Sequence, residues 1–219
     1  MLHGTPRAGI AGSELTRLLA RLAEAPPADA GTSFAERLGR WLGWADAIAL
    51  STVLNAAPAV SDSGRTPGTD GEEADYQRVR AALAASIAAG PGEPASSPTD
   101  FGPHRRHCTA RQQAMHDAIA PLRQRLRDAL SRRSPALARL AAIDAVMDRA
   151  IAPQERSLLG LVPLRLQAHF ERFARAAGDD TGWTDTFRHD MDLVLQAELA
   201  HRLLPCQGLL DTLRTHRPT

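Results

Sequence analysis

Residues 33–54, SFAERLGRWLGWADAIALSTVL, constrain the fold of this chain more than any other stretch. They read as one helix with a marked start. Ser33 can accept from the free backbone donors of a first helical turn, and Glu36 three residues on completes a capping box. At about 100° per residue, Phe34, Leu38, Trp41, Leu42, Ala45 and Ile48 fall on one face, which predicts a core-facing stripe. Trp44 does not belong to that stripe. It lies with Arg37 and Arg40 on the polar side, in a chain whose residues are only 4% aromatic. Arg37, Arg40 and Trp44 are therefore a candidate interface, the alternative being that another helix of the same chain covers Trp44. Gly39 and Gly43 stand one turn apart away from the stripe. Each costs a helix interior roughly 1 kcal/mol relative to Ala, so they either permit close packing or reflect composition.

The same period recurs along the chain. Leu15, Leu18, Leu19 and Leu22 give an apolar stripe ended by Pro26 and Pro27, and this helix is expected to pair with the Ser33 helix as an N-terminal hairpin over 1–54. Residues 55–71 shift to Pro, Gly, Ser, Thr and Asp and read as a flexible linker. A connecting helix over 72–89 carries Tyr76, Val79, Leu83 and Ile87. Residues 90–103, with four prolines, read as a flexible loop. A C-terminal helical bundle is expected over 104–219. Its first helix runs to about Arg132 with a kink at Pro121. Ser134 caps the next, with Pro135 at its first position. A further helix over 154–176 is bent or interrupted at Pro163. A last long helix over 183–204 is separated by Pro205 from a short terminal one. No run of alternating apolar residues indicates a strand. The expected fold is all-α, a bundle of about six to seven helices with two Pro/Gly/Ser-rich linkers.

Composition excludes several functions. The 219 residues suffice for a substantial core, and the formal net charge of +1 gives no general case for nucleic acid or an anionic surface. Every basic side chain is Arg. Without Lys there is no P-loop lysine, kinase lysine, Schiff base or Ser–Lys dyad. Cys108 and Cys206 fall in no CxxC pair, which fits a reducing compartment. No apolar run resembles a signal peptide or the ~20 residues of a membrane span. A soluble, cytoplasmic protein is expected, with no cofactor.

Three groups remain as candidates for chemistry. Nine Arg between His104 and Arg139 face only Asp117 and Asp128 over that stretch. A basic helix can track phosphates, but stacking aromatics are missing, and internal pairing with the acidic segments is the simpler account. His104, His107, Cys108 and His116 are metal-ligand types without a second tight cluster to complete a tetrahedron. On the last helix Asp190, Glu198 and His201 share or adjoin the face of Trp183, Phe187 and Val194. Burying carboxylates there requires partners. A single Glu-x-x-His falls short of the paired motifs of helical di-iron sites, so these three are expected to form an internal polar network.

The phrases SFAERLGRWLGWADAIALSTVL, RRHCTARQQAMHDAIAPLRQRLRDALSRRSPALARLAAIDAVMDRAIAPQERSLLGLVPLRLQAHFERF and TFRHDMDLVLQAELAHRLLPCQGLLDTLR resemble an uncharacterised proteobacterial domain-of-unknown-function family. The resemblance covers most of the chain, implies an all-helical fold and carries no catalytic residues. It also implies genes encoded near those of predicted proton-channel subunits and of peptidoglycan-binding outer-membrane-type proteins. The resulting expectation is a non-enzymatic helical adaptor or accessory protein with an unidentified protein partner, possible self-association, and a place beside a proton-channel or cell-envelope complex. An Arg-rich nucleic-acid-binding or regulatory protein is the alternative. An enzyme using Asp190, Glu198 and His201 ranks third.

Overall fold

The computed structural model describes residues 14–22, 43–55, 70–92, 97, 99–177 and 182–216. These form seven helices and no strand: α1 (Glu14–Leu22), α2 (Trp44–Asn55), α3 (Asp70–Ala88), α4 (Gly102–Ser131), α5 (Pro135–Leu159), α6 (Val162–Ala177) and α7 (Trp183–Thr215). The fold is an all-α bundle.

Two long helices organise it. α7, with 33 residues, packs along α4, with 30. α3 covers one side of the pair, α1 and α6 lie on α7, and α5 lies on the other side of α4. The core is continuous from Tyr76, Leu83 and Ile87 of α3 through Met115, Leu122, Leu126 and Leu130 of α4 to Phe187, Met191, Val194 and Leu195 of α7. At one end Phe101, Phe170, Phe173 and Trp183 join Phe187 in an aromatic cluster. Phe170 meets Trp183 at 4.9 Å and Phe187 at 5.0 Å in edge-on geometry.

Local sequence accounts for several boundaries. Ser134 is extended and its Oγ accepts from the Leu137 amide at 3.3 Å, with Pro135 in the first turn of α5. Gly90 stops α3 at φ 67°, a conformation that an L side chain resists. The Asp100 carboxylate accepts from the Gly102 amide at 2.8 Å and supplies the start of α4 that Phe101 cannot cap.

Other boundaries differ from expectation. Gly43 is not inside a helix: its amide donates to Asp46 Oδ2 at 3.2 Å, and α2 begins at Trp44. This is half a capping box, with glycine in the capping position. Residues 33–42, with Arg37, Leu38, Arg40, Trp41 and Leu42, lie outside the described residues. The described parts of the expected hairpin go to different places, α1 to α6 and α7, and α2 to α5. Of the expected linker, 56–69 lie outside the described residues, and Asp70 and Gly71 already belong to α3. Gln154 to Leu159 continue α5 through Pro153, and the break comes at Gly160 and Leu161. Pro163 therefore sits in the first turn of α6, where its missing amide had no helical partner to lose. α4 runs through Pro121.

α7 also continues through Pro205. The buried stripe of Leu203, Cys206, Leu209, Leu210 and Leu213 spans the proline, so burial of both halves outweighs one lost backbone bond. Ile48, expected in the core, is 51% exposed, because α2 turns Ala49, Leu50 and Val53 inward instead.

Candidate functional site

α5 stands between two neighbours and its two faces are chemically different. Leu137, Ala141, Asp144 and Asp148 recur at helical spacing and look toward α4. Val146 and Ala150 are buried on roughly the opposite side and stand apart from the main core, on the side left for α2. The α4 face is closed by a charge lattice. Arg123 donates from Nε and Nη2 to both oxygens of Asp144, at 2.9 and 2.6 Å, and from Nη1 to Asp148 at 2.7 Å. Arg127 reaches Asp144 and Asp148, each at 2.7 Å. Both pairs are spaced i,i+4, so two arginines one turn apart meet two aspartates one turn apart. Burial pushes the Asp144 carboxyl up, but the bonds from Arg123 and Arg127 outweigh it and hold the group below the usual range. Arg123 is shifted up by the same partners against its own burial.

Much of the Arg-rich segment is thus engaged within the chain. Arg105 bonds Gln167, Arg111 donates to the Ser86 carbonyl at 3.2 Å, Arg125 lies 3.5 Å from Asp75, and Arg133 reaches the His216 carbonyl at 3.5 Å.

Asp190, Glu198 and His201 each engage a different partner. Glu198 is fully buried; it accepts from Gln112 Nε2 at 3.0 and 3.2 Å and from Arg202 Nε at 2.9 Å, with Arg202 Nη2 at 2.8 Å. Gln112 also donates to the Leu159 carbonyl at 2.9 Å, which ties α4 to the end of α5. His201 approaches Glu155 at 3.7 Å, and its Nδ1 is buried without a partner. Asp190 lies 2.8 Å from His169 Nε2. Arg172 donates to His169 Nδ1 at 3.0 Å and to the Leu22 carbonyl, so the His169 proton sits on Nε2 and points at Asp190. This relay fastens the end of α1 to α6 and α7. His169 and Arg172 were not anticipated, since a partner on another helix leaves no local spacing to read.

His104 and His107 are buried in separate surroundings, and among the described residues no three His, Cys, Asp or Glu come together to hold a metal. His104 lies in the aromatic cluster, 5.1 Å from Phe187 and 5.6 Å from Phe170. Burial first, then the nearby Arg188, lowers its basicity; burial and Arg111 do the same to His107. The thiols of Cys108 and Cys206 are pushed by burial up to about 12 and about 11. Such thiols are not nucleophiles.

Two surfaces remain. α2 has no buried residue; Asp46, Ala49, Leu50 and Val53 form its half-buried side, and Trp44, 83% exposed, and Ile48 form its outer side. Leu158, Leu161 and Leu164 are exposed at the α5–α6 corner. The second surface is a cleft of about 340 Å³ where α4, α5 and Arg202 of α7 meet. Arg123, Arg149, Arg156 and Arg202 line it against Asp148 and Glu155. The 149–156 spacing of seven, which places both guanidiniums on one face, was its visible sequence signal. No helix of the described residues is long and apolar enough to cross a membrane.

The chain belongs to the family described as "Protein of unknown function (DUF3348)", matched over residues 1–215. No curated protein and no solved structure gives a significant match.

Proposed function

We propose that this family member is a non-enzymatic helical adaptor that docks a protein partner on the outer face of α2. One observation carries the reading: α2 is apolar on both sides, and its outer side places Trp44 and Ile48 in solvent. Single exposed apolar residues are ordinary, but a Trp and an Ile one turn apart on a helix that buries nothing fully form a patch. Trp is also among the residues most enriched at the energetic centres of interfaces. The inward pairing of Arg123 and Arg127 with Asp144 and Asp148 supports a protein partner over nucleic acid. In its finer form the proposal puts the partner in the cytoplasmic part of a proton-channel or cell-envelope complex. The resemblance supports that placement, and two free buried cysteines suit a reducing compartment.

A photo-crosslinking residue at position 44, with a control at exposed Arg188, tests it in the native host. The expected result is a discrete protein adduct at 44 only, lost on Ile48→Asp, with stability changed by less than about 0.5 kcal/mol as for ordinary surface substitutions. Equal adducts at both positions would reject the docking face. Tight duplex-DNA binding at physiological salt would favour the regulatory reading instead.

A further inference from the structure

We propose that the cleft between α4 and α5 binds a small phosphate monoester carrying a compact apolar group. Its charge comes from α5. Arg149 and Arg156 both line it, seven residues apart, so they lie within about 20° on one face and about 10 Å apart along the axis. Neither guanidinium makes a hydrogen bond or ion pair among the described residues, whereas the other two arginines of the cleft are committed. Arg123 makes three bonds to Asp144 and Asp148, and Arg202 spends Nε and Nη2 on buried Glu198. Arg202 is nonetheless held rigidly at the cleft, its side chain 13% exposed, with Nη1 left for a ligand.

Two acidic groups line the same space, one engaged by arginines and one facing only a histidine 3.7 Å away. Asp148 receives Arg123 and Arg127, and Glu155 faces His201. Arg149 and Arg156 outnumber the one acidic group left over, Glu155, so the cleft keeps a net positive charge, and planar guanidiniums favour the paired oxygens of phosphate. The floor has the opposite character. Ile119, Ala152 and Pro153, over the buried Met115, supply apolar surface. The volume is at the low end of small-molecule sites, which suits one ring or a short branched chain beside the phosphate. Arg123 and Arg202 hold two sides of the cleft in place, while the exposed Arg149 and Arg156 side chains are ordered on binding. The site is separate from the α2 face, and its failure would leave the adaptor reading standing.

Calorimetric titration of the full chain with phenyl phosphate, inorganic phosphate and phenol tests the proposal. Phenyl phosphate should saturate, inorganic phosphate should bind more weakly, and phenol should give no saturable heat. R149Q/R156Q, at two exposed positions, should weaken phenyl phosphate at least roughly tenfold through lost charge-assisted hydrogen bonds, with an unchanged melting temperature. Added sodium chloride should weaken binding to the unsubstituted chain, which keeps the test valid if the variant misfolds. The proposal is overturned if phenyl phosphate shows no saturation below about 10 mM, since weaker binding would be nonspecific. It is equally overturned if phenol binds as tightly, or if a folded R149Q/R156Q binds unchanged.

Discussion

At the scale of single residues, Asp144 holds the most consequential position. It accepts three hydrogen bonds from Arg123 and Arg127, and the Asp144 side chain is 17% exposed. Asp144→Asn would keep the shape and remove the charge, leaving the half-buried Arg123 and the buried Arg127 to share Asp148. Breaking a buried pair by removing one partner costs about 3–5 kcal/mol, and the observed exposure places the expected loss at the lower end of that range. Urea unfolding of the variant measures it; a change below about 0.5 kcal/mol would mean the lattice behaves like a solvated surface pair. The spacing of Arg123 with Arg127 and of Asp144 with Asp148 was visible in the sequence, but nothing local said that the two pairs faced each other. The same holds for Asp190, Glu198 and His201: their helical face was legible, while His169, Gln112, Arg202 and Glu155 became partners only through packing between distant segments.

At the scale of elements, prolines and glycines do not mark the helix ends that local rules assign to them. Pro205 looked like a terminator, yet α7 carries its buried stripe straight across it. Propensity gave way to burial of Leu203 and Cys206 on the two sides. Leu210→Ala distinguishes the two descriptions. In a continuous helix with Leu210 fully buried, the substitution should cost about 2–5 kcal/mol. A short, frayed terminal helix would lose far less, and a midpoint shift within error of zero would restore the sequence reading. Gly43 illustrates the opposite error. A glycine one turn from Gly39 suggested close packing inside a long helix, whereas its amide bonds Asp46 and it stands before the first turn of α2. Within α2, Ile48 lies on the outer face rather than in the expected core, with Trp44 one turn away from it.

At the scale of the whole molecule, acidification should weaken the bundle in two separate windows. The first belongs to His104 and His107. Each is less basic in the folded chain than in the unfolded one, so the unfolded state binds more protons below the ordinary histidine value of about 6.5. Stability is then fully present above that pH and falls as the pH drops toward the depressed folded values. His104 faces the Phe101, Phe170 and Phe187 rings, Arg188 of α7, His107 one turn away and Asp100 before the helix; His107 faces Arg111 and the Ile87 backbone. Only Asp100 favours a charged His104, and it ranks last among these influences. The second window belongs to Asp144, whose depressed folded value delays its loss until the pH falls below about 3.9, the unfolded aspartate value. His104→Phe replaces a buried imidazole by a ring that its aromatic neighbours can accept and that binds no proton. Urea unfolding at pH 7.5 and at pH 5.5 should show a smaller pH-dependent loss in this variant than in the parent chain. An identical loss in both would mean that His104 does not sense pH from inside the cluster, and that the first window belongs to His107 or to another group.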